Sequence, residues 1–318
     1  MRSFRLLVAA GVAPLLAGCG MLGPASAPPA AEPAAPTSAS AAPTPAPTRP
    51  AVRAPRVPAG VTAGYVLYDR QTRRVVLRGN ERRTMRSASV VKVLIALDYF
   101  AARPASAPVP AADAAMLRPM LRSSDDRAAT LLWRRGGQGA IIGRMRARIG
   151  LTDTAPPPAD KPGFWGYTAI SALDIARTYR YLLERAPRPA RTFIMTQLHQ
   201  ATQCGVDRFD QYFGVPRALP RPWAVKQGWS GFGDVPAVPC TGPRAPGVSP
   251  AAGGGPAFHP VAAPDLGLGR PVLHTTGTFG QGDRYVLVLL TLQPAGSPFQ
   301  AAATRVTGLA RQIGRAAG

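Results

Sequence analysis

The spacing of hydrophobic positions changes along the chain, and the changes mark out its elements. Gly64-Tyr65-Val66-Leu67-Tyr68 and Val75-Val76-Leu77 are short β-type runs, and the polar Asp69-Arg70-Gln71-Thr72 between them predicts a hairpin. From Ser89 to about Ala102 the chain is apolar on every side of a helical wheel, with Lys92 inside the run, which predicts a buried helix. Residues 110–200 read mostly as helix: Ala128, Ala129, Leu131 and Leu132 share one segment, and Ile175, Tyr179 and Leu182 share another. Ser171 stands at the N-cap of the second, with Asp174 at the capping-box position. Strand signals return at Trp223-Ala224-Val225, Val272-Leu273-His274 and the nearly continuous Tyr285–Leu290, which suits a central strand. Phe299, Ala302, Val306, Leu309 and Ile313 close the chain as an amphipathic helix, and a Pro/Gly-rich insertion at about 236–270 predicts a surface loop. Two strands, a helical block, three strands and a helix predict an α/β (α+β) domain over 61–318. Its expected form is one antiparallel five-stranded sheet flanked by helices, with an all-helical subdomain at about 104–200 inserted.

The beginning of the chain has a different character. Arg2 and Arg5 precede an apolar run, Leu6 to Leu16, that is too short to span a bilayer, so residues 1–18 are expected to be a secretory signal. The run closes on Leu16-Ala17-Gly18-Cys19, which resembles the lipobox of bacterial lipoproteins and implies lipidation of Cys19 and an extracytoplasmic, membrane-anchored protein. Residues 19–60, rich in Ala, Pro, Ser and Thr, read as an extended linker. The remaining cysteines, Cys204 and Cys240, are then candidates for a disulfide in an oxidising compartment. The net charge of +22 comes from arginines scattered along the chain without a nucleic-acid-reading motif, so nucleic acid is not an expected partner. No metal or cofactor motif is present, and a monomer is expected.

Only three of the 38 basic residues are lysines: Lys92, Lys161 and Lys226. Arginine cannot give up its proton in a protein, so a lysine inside an apolar helix suggests work that needs a neutral amine. Ser89-Val90-Val91-Lys92 places a hydroxyl and an amine on one helix face; burial disfavours the ammonium form, and the neutral amine can take the hydroxyl proton. Ser124-Asp125-Asp126, running on into Arg127-Ala128-Ala129-Thr130-Leu131-Leu132, follows, and then Lys226-Gln227-Gly228 on a strand.

In this order the three segments resemble the S-x-x-K, S-D-N and K-T-G elements of the serine β-lactamases and penicillin-binding proteins, with class A enzymes nearest. The resemblance covers about residues 61–316. It implies that Ser89 is the acylated nucleophile, that Lys92 is its base, and that Ser124 relays a proton to the leaving nitrogen. Lys226 would hold Ser124 and attract a substrate carboxylate, and Gln227 would stand in for a hydroxyl donor beside Gly228. The backbone N–H groups of Ser89 and Trp229 would form the oxyanion hole. The implied substrate is a β-lactam or a peptidoglycan peptide ending in D-Ala-D-Ala.

Three departures bear on activity. Asp126 replaces the usual Asn and is expected to be a buried charge paired with Lys92. The interval from Ser89 to Ser124 is short for such enzymes. No glutamate occurs between Gly150 and Tyr167, where class A enzymes carry the residue that activates the deacylating water; Asp160 is the one candidate substitute. Weak deacylation is therefore expected, and a non-catalytic lipoprotein that binds a cell-wall ligand or a protein partner is the competing class.

Overall fold

In the computed structural model, which describes residues 53–243 and 269–317, the elements follow in chain order. They are β1 (Thr62–Asp69), β2 (Arg74–Gly79), β3 (Met85–Arg86), α1 (Lys92–Ala101), α2 (Ala111–Arg122), α3 (Asp126–Arg135), α4 (Gly139–Ile149), β4 (Ala169–Ile170) and α5 (Ala172–Glu184). Then come α6 (Arg188–His199), α7 (Val215–Ala218), β5 (Trp223–Ser230), β6 (Val272–Phe279), β7 (Tyr285–Leu292) and α8 (Phe299–Gly314). Five strands form one antiparallel sheet in the order β2-β1-β7-β6-β5. The near-continuous apolar run is β7, and it takes the middle place because both of its faces are covered. On one face, Val66, Val286, Val288 and Leu290 pack against α1 and α5. On the other, Leu67, Leu287 and Leu289 meet Val306, Leu309 and Ile313 of α8. The edge strand β2 is largely exposed, as its arginines require.

The strands run further than their apolar letters. β5 continues through Lys226 and Gln227, and β6 through His274, Thr275, Thr276 and Thr278, all of them buried. Their polar atoms find partners inside the sheet: Thr276 Oγ1 donates to Lys226 O at 2.6 Å, and Thr291 Oγ1 to Leu273 O at 2.6 Å. Helices α2 to α6 form the block inserted between β2 and β5, interrupted by the two-residue β4, which pairs with β3. That small ladder ties the lead-in to Ser89 to the segment before α5. Ser171 caps α5 by accepting from Asp174 N at 3.1 Å. Asp174 also does something its cap position did not suggest. Its buried carboxylate accepts the N–H groups of Thr152, Asp153 and Thr154 and so pins the start of the loop after α4.

Candidate active site

Ser89 lies in a 3-10 turn, Ala88–Val91, that feeds directly into α1. In a 3-10 turn residues three apart eclipse one another, so Lys92 stands over Ser89 with Nζ 2.9 Å from Oγ. Ser124 sits in the short link between α2 and α3 with φ +59°, a left-handed conformation that a non-glycine residue adopts only under constraint. Here it aims both the serine carbonyl and its hydroxyl at Lys92, which donates to them at 2.7 and 3.2 Å. Lys226, on β5, donates to Ser124 Oγ at 2.9 Å and to Gln227 O at 3.1 Å. The four side chains thus form one hydrogen-bonded chain, Ser89–Lys92–Ser124–Lys226, and all four are buried. Burial, and then the positive charge of Lys92, push the Lys226 amine well below the ordinary lysine range.

Two expectations need correction. Asp126 does pair with Lys92, at 2.5 Å, but its side chain is 58% exposed, because it opens α3 on the solvent side; it is not a buried charge. Gln227 is not a donor in the site. Alternation along β5 turns it away from Lys226 and Gly228, and its Nε2 donates to the carbonyls of Phe213 at 2.6 Å and Gln211 at 3.2 Å. Gly228 lies against the turn that carries Ser89: a Cβ there would be 3.0 Å from Ser87 O and 3.3 Å from Ser89 N. That close approach brings the next residue, Trp229, alongside Ser89.

The loop between α4 and α5 brings a further side chain to the site. Asp160 is 68% exposed and pairs with its neighbour Lys161 at 3.6 Å. The residue of this loop that meets Lys92 is Trp165: Lys92 Nζ lies 4.6 Å from its ring centroid, and its Nε1 donates to Thr130 Oγ1 at 3.1 Å. A lone buried tryptophan in a loop has no motif to announce it.

Sequence reading missed Asp207. Trp229 Nε1 donates to its Oδ2 at 2.9 Å and Phe209 N to its Oδ1 at 3.2 Å. The Asp207 carboxyl is open to water yet crowded by protein on most sides, and that desolvation, together with the nearby Asp126, raises its pKa to about 6. Its loop is bonded through Cys204 to Cys240, with Cα atoms 5.5 Å apart. Among the described residues no cluster of His, Cys, Asp and Glu is arranged to hold a metal ion, and no helix is long and apolar enough to cross a membrane. Cys19 lies outside the described residues, as does most of the 236–270 insertion.

No family model matches the chain. It is 32% identical over 242 residues to proteins of Mycobacterium tuberculosis and Mycobacterium bovis described as "Putative lipoprotein LppW". The match covers 74% of this chain and 65% of the length of those relatives. Its structure is similar to that of PBP-A, with a TM-score of 0.55 and 16% identity over 81% of this chain and 91% of that one. It is similar to a β-lactamase of Xanthomonas campestris, with a TM-score of 0.55 and 15% identity over 81% and 93%, and to a class A β-lactamase of Mycobacterium abscessus, with a TM-score of 0.54 and 14% identity over 81% and 95%. The fold is therefore that of the serine β-lactamases and penicillin-binding proteins.

Proposed function

We propose that this chain, built on the β-lactamase fold, is a lipid-anchored serine hydrolase of the cell envelope that forms an acyl-enzyme at Ser89. The observation that carries the reading is the continuous hydrogen-bonded chain from Ser89 to Lys226. Two amines joined through one hydroxyl do not readily hold two charges, and it is Lys226 whose charge is disfavoured. The Lys92 amine can accept the Ser89 proton only once its own proton has passed through Ser124 to Lys226, a transfer that the burial of Lys226 opposes. Ser89 Oγ then attacks the carbonyl of a β-lactam or a D-Ala-D-Ala-type peptide. The carbon–nitrogen bond breaks, and the leaving nitrogen takes a proton back from Ser124. The N–H groups of Ser89 and Trp229 would bind the oxyanion.

Release of the acyl group is the slow half of this reading. It needs a water and a base beside Lys92, and Trp165 covers the lysine from the loop that would supply them. A point mutant of PBP-A, a protein of similar fold, has been solved as an acyl-enzyme complex with penicillin G. The lipid anchor rests on the Leu16-Ala17-Gly18-Cys19 sequence and on the name of the mycobacterial relatives. The ion pair between Lys92 and Asp126 favours a second reading, a ligand-binding lipoprotein without turnover.

The test is intact-mass analysis over time after incubation with a fluorescent penicillin and, separately, with a neutral fluorophosphonate. A slowly formed, long-lived adduct at Ser89 is expected, absent in Ser89→Ala. It should be nearly absent in Lys92→Arg, which keeps the charge but cannot accept a proton. No adduct with either reagent would leave the binding reading in place.

A further inference from the structure

We propose that Asp207 sets the charge of the acyl donor at the Ser89 site, selecting esters or amides that are neutral or cationic beside the scissile bond over those that carry a carboxylate there. The inference rests on the acyl-enzyme reading and narrows it away from the carboxylate-bearing β-lactams and D-Ala-D-Ala-type peptides, which should react slowly.

The position of Asp207 is fixed from both sides of the site. On one side, the N–H of the preceding residue, Val206, donates to Ser123 O at 2.8 Å, next to Ser124. On the other, the Asp207 carboxylate accepts from the indole of Trp229, whose backbone lies beside Ser89. Glycine at 205 lets the carboxylate pack close: a Cβ there would stand 2.5 Å from Asp207 Oδ1 and 3.1 Å from the Trp229 ring. The disulfide to Cys240 and the bond from Cys240 N to Arg208 O at 2.8 Å hold the loop from outside. The carboxylate is therefore held in place at the water-exposed rim of the site.

Its electrostatic neighbours are Asp126 at the head of α3, Lys92 at the head of α1 and Lys226 on β5. Lys92 is already paired with Asp126. Lys226, the group expected to attract a substrate carboxylate, is engaged by Ser124 and Gln227 O, and its charge is disfavoured by burial. Two amines thus face two carboxylates, and an incoming carboxylate meets no uncompensated cation among these four groups. A neutral or cationic donor meets no such opposition. In a protein of net charge +22, this local balance is a property of the site and not of the surface at large.

The experiment compares Asp207→Asn, which keeps the size and one acceptor oxygen for Trp229, with the unaltered full chain. Second-order labelling rates are measured for a fluorescent penicillin, which is anionic, and for a neutral fluorophosphonate, at pH 5 and pH 8. Asp207→Asn should raise the ratio of the penicillin rate to the neutral-reagent rate at pH 8 by about tenfold, equivalent to about 1.4 kcal/mol. At pH 5, where the wild-type carboxyl is largely protonated, the two proteins should converge. An unchanged ratio of the two rates at pH 8 overturns the proposal, as does a gain shared equally by both reagents. Loss of penicillin labelling in Arg208→Gln, without a gain in Asp207→Asn, would mean that the loop carries an anion anchor and overturns it too. Failure of both reagents to label Ser89 in any variant instead overturns the acyl-enzyme reading on which the proposal rests.

Discussion

Gly228→Ala tests whether the approach of β5 to the turn that carries Ser89 matters for the proposed chemistry. The added Cβ would lie 3.0 Å from Ser87 O, 3.0 Å from Val90 Cγ2 and 3.3 Å from Ser89 N, so a strand or turn must give by a few tenths of an ångström. Overpacking of this kind costs about 1–3 kcal/mol. Replacing a strand glycine returns about 0.5–1 kcal/mol of backbone entropy. The net loss should be about 1–2 kcal/mol, a fall in melting temperature of about 2–8 °C for a domain of this size. The functional effect should be larger than that stability change implies. The gap that widens is the one between Ser89 N and the backbone at Trp229, and a misplacement of reacting groups by about 1 Å costs about a hundredfold. A shift of a few tenths of an ångström should slow Ser89 labelling by about tenfold. Gly308→Ala, inside α8 with nothing within 4 Å of the added methyl, is the control: it should stabilise slightly and leave labelling untouched. The assay is a thermal melt paired with labelling rates for the three proteins. If Gly228→Ala labels at the wild-type rate while folded, the close approach has no role in placing an oxyanion hole.

Three further outcomes follow from other parts of the molecule. His274 is fully buried, donates through Nε2 to Arg86 O and accepts from Thr291 N at Nδ1; burial pushes its pKa down to about 4. Because the unfolded chain takes that proton first, stability should be complete above about pH 6.5 and fall as pH drops toward about 4. The loss should total about 3 kcal/mol in urea titrations and be absent from His274→Gln; a flat profile in the wild type would refute it. Removing both Cys204 and Cys240, which lie 36 residues apart, should cost about 3–4 kcal/mol in denaturant midpoint analysis; an unchanged midpoint would mean that the crosslink constrains little. Cys19→Ser should move the protein from the membrane to the soluble fraction, and an unchanged distribution would remove the anchor from the proposed function.

The sequence by itself determined the frame. Periodicity separates strands from helices locally, so the hairpin, the buried helix after Ser89, the central β7 and the closing α8 were all legible, and with them the five-stranded sheet. The pairing of Ser89 with Lys92 was legible too, since three-residue spacing in a helical turn forces the contact. What lay beyond reach depends on segments far apart in the chain. The polar end of β6, Thr275 to Thr278, carries no apolar signal, and Thr276 finds its acceptor only across the ladder at Lys226 O. The facing of Gln227 follows from which side of β5 meets α1, and the exposure of Asp126 from how α3 lies in the block. Trp165 and Asp207 reach the site across separations that carry no periodic signal. One arrives on a loop pinned by Asp174, the other on a loop docked to Ser123 and bonded to Cys240. Local patterns specify which atoms are available; which of them share a dielectric and a charge balance is decided only when tertiary packing brings them together.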